Sequence, residues 1–238
     1  MIAANLEVCV DSVESLRSAI IGGADRIELC ANLAVGGLTP TLDMLKAARS
    51  FDLPIRVMIR PRAGNFHFTE HELSQMKTEI EELHSFGFEG VVLGAATLDN
   101  RLDVESLRQL LETAKPMRAT LHRVIDTLAD PLAAIDEAVE LGFDTVLTSG
   151  TQDSAAQGCE MIAEMITRAA GRIDIMPGAG ISPTNAADIL QKTRARWLHG
   201  SFSAPAHPSG DTHQNSITSK RQCQKMSAIC REKSFESS

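Results

Sequence analysis

The tripeptide Glu-x-Cys occurs twice near the start of the chain, as Glu7-Val8-Cys9 and as Glu28-Leu29-Cys30. Thiolate and thioether sulfurs select Cu(I), and Zn²⁺ shares the preference for sulfur. A structural zinc site usually takes four ligands from closely spaced pairs, and the sequence contains no Cys-x2-Cys pair. Two cysteines with Met58 or His122 beside them therefore favour a low-coordinate Cu(I) site with Cys9 and Cys30 as ligands. The alternative is that both cysteines are small buried hydrophobes.

A second group of residues suits the binding of a small anion. The glycine-rich segment 177–181 follows an apolar run, and glycines let the backbone approach a ligand closely. Arginines pair well with phosphate or carboxylate groups. The predicted anion-binding residues are Arg60, Arg62, Gly178, Gly180 and Ser201. The alternative is that the glycines only form a tight turn.

Candidate catalytic residues accompany the anion-binding group. A histidine acts as a general acid or base when a neighbouring group orients it. His122 is the candidate, with Glu28 or Asp126 orienting its ring. The sequence contains neither a nucleophile elbow nor a His-Glu-x-x-His motif, so it assigns no reaction.

Eight runs rich in β-branched residues alternate with amphipathic runs of helical period, the pattern of repeated βαβ units. The predicted strands are 5–10, 25–30, 54–60, 89–94, 118–125, 144–149, 172–176 and 197–201. Because α/β barrels often take about 200–250 residues as one unit, we predict an α/β fold, a single-domain (β/α)8 TIM barrel. A doubly wound sheet normally has fewer strands, and its nucleotide-binding form needs a glycine-rich segment after the first strand.

Residues typical of helix ends stand between these strands. Capping boxes are predicted at Asp11 with Glu14 and at Thr69 with Glu72. Three residues that precede a proline are predicted N-caps: Thr39, Asp130 and Ser182. Four glycines are predicted to end helices: Gly22, Gly87, Gly142 and Gly171.

Alternation along the strands predicts a polar barrel interior. Apolar residues must face the surrounding helices, so the residues between them point inward. The predicted inward residues include Glu7, Cys9, Arg26, Glu28, Cys30, Arg56, Met58, Arg60, Thr120, His122, Asp174, Met176, His199 and Ser201. Because unpaired buried charges are costly, Glu7 and Glu28 are expected to meet Arg26, Arg56 or Arg60. A salt-bridge network that only supports the barrel is the structural alternative.

The chain divides into a barrel and a C-terminal part. Residues 1–201 are predicted to hold the strands and helices of the barrel, and 202–219 a polar loop rich in Ser, Thr, Pro, Gly and His. Residues 220–233 are predicted to form the last helix and 234–238 a frayed tail.

Composition excludes several classes of protein. The 238 residues are 43% hydrophobic and 23% charged, as in ordinary globular proteins, and carry a net charge of −8. That charge argues against nucleic-acid partners and attraction to anionic membranes. No apolar run approaches the roughly 20 residues of a membrane span, and the first residues do not resemble a signal peptide. Five cysteines, an odd number, favour reduced thiols in the cytoplasm over a secreted disulfide framework.

The chain resembles the CutC family of copper homeostasis proteins over about residues 5–201. The matching runs are LEVCVDSVES, GGADRIELC, GGLTP, VMIRPR, TLHRVID, VLTSG and GRIDIMPGAGIS. The resemblance implies a TIM barrel and Cu(I) binding by cysteines at the ends of the first two strands, here Cys9 and Cys30. In the family's RPRGGDF segment this chain has Ala63 and Asn65, and Asn65 lacks the carboxylate. The family's H-x-S-A ending here reads His-Gly-Ser-Phe from His199.

The resulting hypothesis is a cytoplasmic copper homeostasis protein that binds Cu(I) through Cys9 and Cys30. The alternative is a TIM-barrel enzyme of unknown reaction that acts on a small anionic or phosphorylated substrate at the same barrel mouth. Barrels of this kind often self-associate through their helices, so we also expect a homo-oligomer. Neither a nucleic acid nor a membrane is an expected partner.

Overall fold

Eight parallel strands form a nearly closed barrel in the computed structural model, which describes residues 3–204 and 217–232. The strands are β1 (Asn5–Val10), β2 (Arg26–Leu29), β3 (Ile55–Met58), β4 (Gly90–Leu93), β5 (Arg118–Leu121), β6 (Thr145–Thr148), β7 (Asp174–Pro177) and β8 (Trp197–Gly200). Their hydrogen-bonded order is β7-β6-β5-β4-β3-β2-β1-β8, and β7 also lies against β8. The predicted (β/α)8 barrel is confirmed.

Helices follow the strands and surround the barrel. They are α1 (Val13–Ile21), α2 (Leu42–Ala48), α3 (Glu70–Leu83), α4 (Val104–Ala114), α5 (Pro131–Leu141), α6 (Cys159–Ala169), α7 (Ala186–Thr193) and α8 (Lys220–Arg231). Two 3-10 turns, Leu33–Val35 and Arg123–Thr127, follow β2 and β5. The predicted fifth strand, 118–125, is therefore too long. Its end turns because the His122 ring accepts a hydrogen bond from the Val124 N–H. No helix of the described residues is long and apolar enough to cross a bilayer.

Two of the predicted N-caps are confirmed. Thr69 and Glu72 form a reciprocal capping box, and Asp130 caps α5 with a proline at its first turn. Gly142 ends α5 in the left-handed conformation, and Gly22 is the C-cap of α1.

The N-cap predictions at Asp11, Thr39 and Ser182 are wrong, because the helices begin one to three residues later than predicted. Ser12, Thr41 and Asn185 stand at the N-caps of α1, α2 and α7. Asp11 instead accepts a hydrogen bond from the Leu33 N–H, and the Thr39 hydroxyl donates to Glu79. Gly87 and Gly171 lie beyond the C-caps of α3 and α6, which are His84 and Ala170.

The predicted alternation along the strands is confirmed. Leu6, Val8 and Val10 of β1 lie in the continuous apolar layer between the strands and the helices. Cys30, Met58 and Val92 form a separate small apolar group inside the barrel. The layer between strands and helices supplies the main core, which leaves the barrel interior free for polar residues.

Arg56 lies at the amino-terminal end of the barrel interior. It is 1% exposed, and its guanidinium pairs with Glu89 at 3.0 Å and Asp144 at 2.6 Å. Burial opposes its charge, but these carboxylates raise the pKa of Arg56 above its usual value. Of the three arginines expected near Glu7 and Glu28, Arg56 therefore pairs with other carboxylates. Glu89 and Asp144 precede the strands, and alternation within the strands does not identify them.

The C-terminal segment completes the ring of helices. Two short strands, β9 (Ser203–Ala204) and β10 (Ile217–Thr218), pair antiparallel at the ends of the predicted polar loop 202–219. Residues 205–216 of that loop and the predicted tail 234–238 lie outside the described residues. Helix α8 packs against α1, α7 and β1, and the Ala4 N–H donates to the Cys230 carbonyl.

Candidate functional site

A cavity of about 780 Å³ opens at the carboxyl ends of the strands. Active sites of (β/α)8 barrels lie at this end, and ligand pockets commonly have volumes of about 300–1,000 Å³. Residues from all three groups predicted from the sequence, the metal ligands, the anion-binding residues and the catalytic candidates, line the cavity. They are Cys9, Glu28, Arg60, His122, Asp126, Gly180 and Ser201.

Glu7 lies below the cavity with its carboxylate fully buried. Its carboxylate pairs with Arg26 on β2 and accepts a 2.8 Å hydrogen bond from His199 on β8. Burial alone would raise the pKa of Glu7, but Arg26 and His199 lower it to about 2. Glu7 therefore meets Arg26 as expected and is a charged acceptor at neutral pH.

His199 lies between two carboxylates. Its Nδ1 faces Glu7, and its Nε2 lies 3.7 Å from a Glu28 oxygen. Burial would lower the pKa of His199, but the acidic groups Cys9, Glu28 and Glu7 raise it well above its usual value. The hydrogen bond to Glu7 fixes the ring orientation and leaves Nε2 directed toward Cys9 and Glu28.

Cys9, Glu28 and His199 form a buried cluster. One ligand atom from each residue, a sulfur, a carboxylate oxygen and a ring nitrogen, lies within 4.8 Å of the other two. Strand register explains the cluster, because Cys9 is paired with Glu28 across β1 and β2, and Glu7 with His199 across β1 and β8. Burial raises the pKa of the Cys9 thiol although His199 opposes the shift.

Cys30 lies nearer the carboxyl end of the barrel than Cys9, although the two matching tripeptides suggest that the cysteines are level. The register places Cys9 beside Glu28 because neighbouring strands of a barrel are staggered. The Cys30 thiol donates to Glu28 at 3.4 Å, and burial together with Glu28 raises the pKa of Cys30 well above its usual value. Cys30 also packs with Met58, the predicted sulfur neighbour. Glu28 meets His199 and Cys30 in place of the expected arginine.

His199 belongs to the cluster, although the sequence pattern does not identify it as a metal ligand. Alternation placed its side chain inside the barrel or at its rim. The missing information was the closure of the barrel, which brings β8 beside β1 although the paired residues Glu7 and His199 are 192 positions apart.

Arg60 is a buried cation at the cavity wall, 5% exposed. Its terminal nitrogens donate to the carbonyls of Val35, Gly37 and Gly64 at 2.8–3.1 Å. Its Nε atom has no hydrogen-bond partner within the described ranges. Burial and the nearby Arg62 lower the pKa of Arg60.

His122 lies in the same wall, 3% exposed. Its Nδ1 accepts from the Val124 N–H at 3.2 Å, so the neutral ring carries its proton on Nε2. That Nε2 has no partner in the part of the chain that the structure describes. Burial and the Arg60 cation lower the pKa of His122 to about 3. A backbone N–H, and not Glu28 or Asp126, orients the ring.

Asp126 organises the loop after β6. It accepts hydrogen bonds from the Thr148 hydroxyl, the Ser149 N–H and hydroxyl, and the Thr151 N–H, and it pairs with Arg123 at 2.9 Å. With these donors around it, Asp126 holds the cavity rim in shape.

Arg62 is engaged within its own loop. It pairs with Glu72 at 2.5 Å and donates to the carbonyls of Ala63, Asn65 and His67. The Asn65 side chain accepts from the His67 N–H at 3.3 Å. The two departures from the family pattern, Ala63 and Asn65, thus occur in a loop that Arg62 braces.

The glycine-rich segment lines the cavity through Ala179, Gly180 and Ile181. A Cβ at Gly178 would lie 2.6 Å from a Leu147 methyl group and 3.3 Å from His199. Gly180 has a φ of +71°, a conformation that suits glycine. The next helix, α7, begins only at Ala186, so this loop does not lead directly into a helix N-terminus. The Ser201 hydroxyl lies at the rim, 3.0 Å from that of Ser203.

The fold and site together define a (β/α)8 barrel with an acid–histidine–cysteine cluster at its mouth. A model of the CutC family matches residues 4–204, and the chain belongs to the CutC family. A CutC family protein of Caulobacter vibrioides (strain NA1000 / CB15N) is 44% identical over 200 residues, 84% of this chain and 82% of the relative. The human "copper homeostasis protein cutC homolog" is 44% identical over 195 residues, 82% of this chain and 71% of its own length.

Solved structures agree with this assignment. A CutC protein from Streptococcus agalactiae has a TM-score of 0.80 at 32% identity, covering 83% of this chain and 98% of that one. Thiamine phosphate pyrophosphorylase from Pyrococcus furiosus has a TM-score of 0.62 at 17% identity, covering 96% of each chain. The second likeness reflects the barrel fold alone.

Proposed function

We propose that this protein binds Cu(I) as its cargo at the barrel mouth and serves copper homeostasis. Cys9 and His199 are the central ligands, and Cys30 is the second sulfur ligand. The observation that carries the proposal is the buried cluster of Cys9, Glu28 and His199, whose ligand atoms lie within 4.8 Å of one another. The relatives named for copper homeostasis support the same metal.

The chemistry of the cluster fits Cu(I). Soft sulfur ligands select this ion, and imidazole nitrogen is also suitable. Glu28 Oε1 is buried and has no hydrogen-bond partner among the described residues, and Glu28 Oε2 accepts from the Cys30 thiol. The contact between His199 Nδ1 and Glu7 resembles the usual support of a metal-bound histidine, in which a carboxylate fixes the ring.

Metal-free Cys9 and Cys30 are neutral thiols, because burial raises the pKa of each. A thiol must lose its proton to become a ligand, so metal binding releases protons. Glu28 contacts the Cys30 thiol and lies beside His199, where it can accept such a proton. Glu28 thus lies beside both the Cys30 thiol and His199. Because its pKa is raised, His199 must also lose a ring proton before Nε2 can bind the ion.

An anaerobic Cu(I) titration against a competing chelator tests the proposal. We expect one tightly bound Cu(I) per chain, and we expect Cys9→Ser to weaken binding at least about a hundredfold, since Ser lacks the soft sulfur. Cys30→Ser and His199→Gln should each weaken binding as well.

Cys159→Ser is the matched control. Cys159 is also a buried free cysteine, but it lies on α6, where its thiol donates to the Ala155 carbonyl. Its substitution should leave Cu(I) affinity unchanged. Equal affinities of the wild type and Cys9→Ser would refute the copper assignment.

A reducing compartment suits this site, because Cys9 and Cys30 must stay reduced to bind Cu(I). We therefore propose a cytoplasmic location, and we retain the prediction of a homo-oligomer. Light scattering of the purified protein measures the oligomeric state, and a monomer mass at working concentration would contradict that prediction.

A further inference from the structure

Two buried hydrogen-bond donors belong to residues that line the cavity. Arg60 Nε and His122 Nε2 both lack a hydrogen-bond partner among the described residues, and both residues line the cavity. Both side chains contact the Phe66 ring. The centre of that ring lies 4.9 Å from the Arg60 guanidinium and 4.6 Å from the centre of the His122 ring. Buried polar atoms normally find partners, so two unpaired donors in one wall indicate a ligand that accepts from both.

The net charge of this wall suits a ligand with a single negative charge. The side-chain hydrogen bonds of Arg60 within the described ranges all go to neutral carbonyls. The His122 ring adds a donor without a charge, because its Nδ1 is an acceptor. Arg123 is already paired with Asp126 at the rim. One uncompensated buried cation favours a monoanion, whereas a phosphate dianion would bring a second charge into a cavity that Glu28 also lines.

Apolar side chains form part of the same cavity wall, beside polar ones. Leu33, Val35, Leu147, Ile181 and Phe202 line the same cavity. Such side chains bind the apolar body of a ligand while a few polar groups fix its orientation.

We infer that the cavity binds a small monocarboxylate with a compact apolar body, whose carboxylate accepts hydrogen bonds from Arg60 Nε and His122 Nε2. This site is distinct from the proposed copper ligands, because neither Arg60 nor His122 belongs to that set. It gives the barrel mouth a small-molecule specificity in addition to its sulfur chemistry.

Calorimetric titration of the metal-free protein with phenylacetate tests this inference. Phenylacetamide is the neutral isostere, and inorganic phosphate is the alternative anion. We expect phenylacetate to bind at millimolar concentration or below, at least about tenfold more tightly than either control, since charged hydrogen bonds contribute more than neutral ones.

His122→Asn is the decisive variant. The Asn carbonyl can still accept from the Val124 N–H, but the donor at the Nε2 position is lost. We expect phenylacetate affinity to fall about tenfold or more. His84→Asn is the matched control, because His84 is an exposed residue whose Nε2 contacts the Thr113 carbonyl. It should leave affinity unchanged.

Arg60→Gln removes the cation and should weaken phenylacetate binding at least as much. Arg60 also donates hydrogen bonds to three backbone carbonyls, so the thermal unfolding of the Arg60→Gln variant is measured to show that the variant remains folded. Cys9→Ser should retain phenylacetate binding, which separates this site from the copper site. Failure of phenylacetate to bind, equal binding of phenylacetamide, tighter binding of phosphate, or unchanged affinity in His122→Asn would overturn the inference.

Discussion

At the scale of single residues, Glu7 both stabilises the barrel and orients a residue of the site. Its buried carboxylate contacts Arg26 and His199 at once. The Arg26 guanidinium also lies 4.0 Å from the centre of the Trp197 ring and donates to the Met176 sulfur. One carboxylate thus balances a buried cation and fixes a candidate metal ligand.

Glu7→Gln should destabilise the protein by about 3 kcal/mol, because removing one partner of a buried ion pair leaves the Arg26 charge uncompensated. Urea unfolding measures the change. Glu105→Gln is the control, since Glu105 pairs with Arg108 on an exposed helix surface, and it should cause no measurable change. Similar stabilities of the two variants would mean that the buried pair contributes little.

His122 makes stability depend on pH. The pKa of its ring is about 3 in the folded protein, below the usual 6.5 of the unfolded chain. The unfolded state therefore takes up the proton first, so this contribution is complete above about pH 6.5 and is lost as pH falls toward 3.

His122→Asn removes this titration. Between about pH 6 and pH 4 the wild type should lose about 1.4 kcal/mol more per pH unit than the variant, measured by urea unfolding. The comparison between the two proteins cancels the titration of the other groups. Parallel pH dependences would show that His122 is not buried as a neutral ring.

At the scale of elements, the loop after β6 packs tightly against the start of α6. A Cβ at Gly150 would lie 2.3 Å from the Gly158 carbonyl oxygen, and Gly150 has a φ of +68°. Asp126 fastens the same loop through Thr148, Ser149 and Thr151. The cavity rim near the proposed carboxylate site therefore has little room to move.

Gly150→Ala should destabilise the protein by about 3 kcal/mol or more, because strain at positive φ adds to a steric overlap with backbone. Gly87→Ala is the matched variant, since Gly87 also has a positive φ, of +74°, but nothing lies within 4 Å of its Cβ position. It should cost only about 1–2 kcal/mol. Equal thermal shifts of the two variants would contradict the tight packing of this loop.

The sequence predicted the order of strands and helices, but not which residues of neighbouring strands lie side by side. Alternation of apolar residues identified the inward faces, because period two is a local property of a strand. The stagger between β1 and β2 is not local, so the matching tripeptides placed Cys9 beside Cys30 where the register pairs Cys9 with Glu28. The predicted helix starts were wrong where two neighbouring polar residues can both serve as the N-cap, as Asp11 and Ser12 can for α1.

At the scale of the whole molecule, the last strand and the last helix close the barrel. Strand β8 brings His199 beside Glu7, and α8 packs on α1 and α7. The sequence predicted α8 at 220–233, close to its observed range Lys220–Arg231. It could not predict that residues near opposite ends of the chain build one site, because that contact exists only in the closed barrel.

Met226→Ala in α8 should destabilise the entire barrel by about 2–5 kcal/mol, since Met226 is fully buried and its loss leaves a cavity. Thermal unfolding should remain a single transition, shifted to lower temperature. Lys225→Ala changes the neighbouring exposed position of the same helix and should have little effect. A separate early transition in Met226→Ala would mean that α8 unfolds independently of the barrel.

Copper binding as proposed requires Cys9 and His199 to bind the same ion. X-ray absorption at the copper edge of the protein loaded with one equivalent of Cu(I) tests it most directly. We predict sulfur neighbours together with the scattering pattern of an imidazole ring, and we predict that His199→Gln loses the imidazole pattern while His84→Asn keeps it. A spectrum without sulfur, or an imidazole pattern that persists in His199→Gln, would contradict joint copper binding by Cys9 and His199.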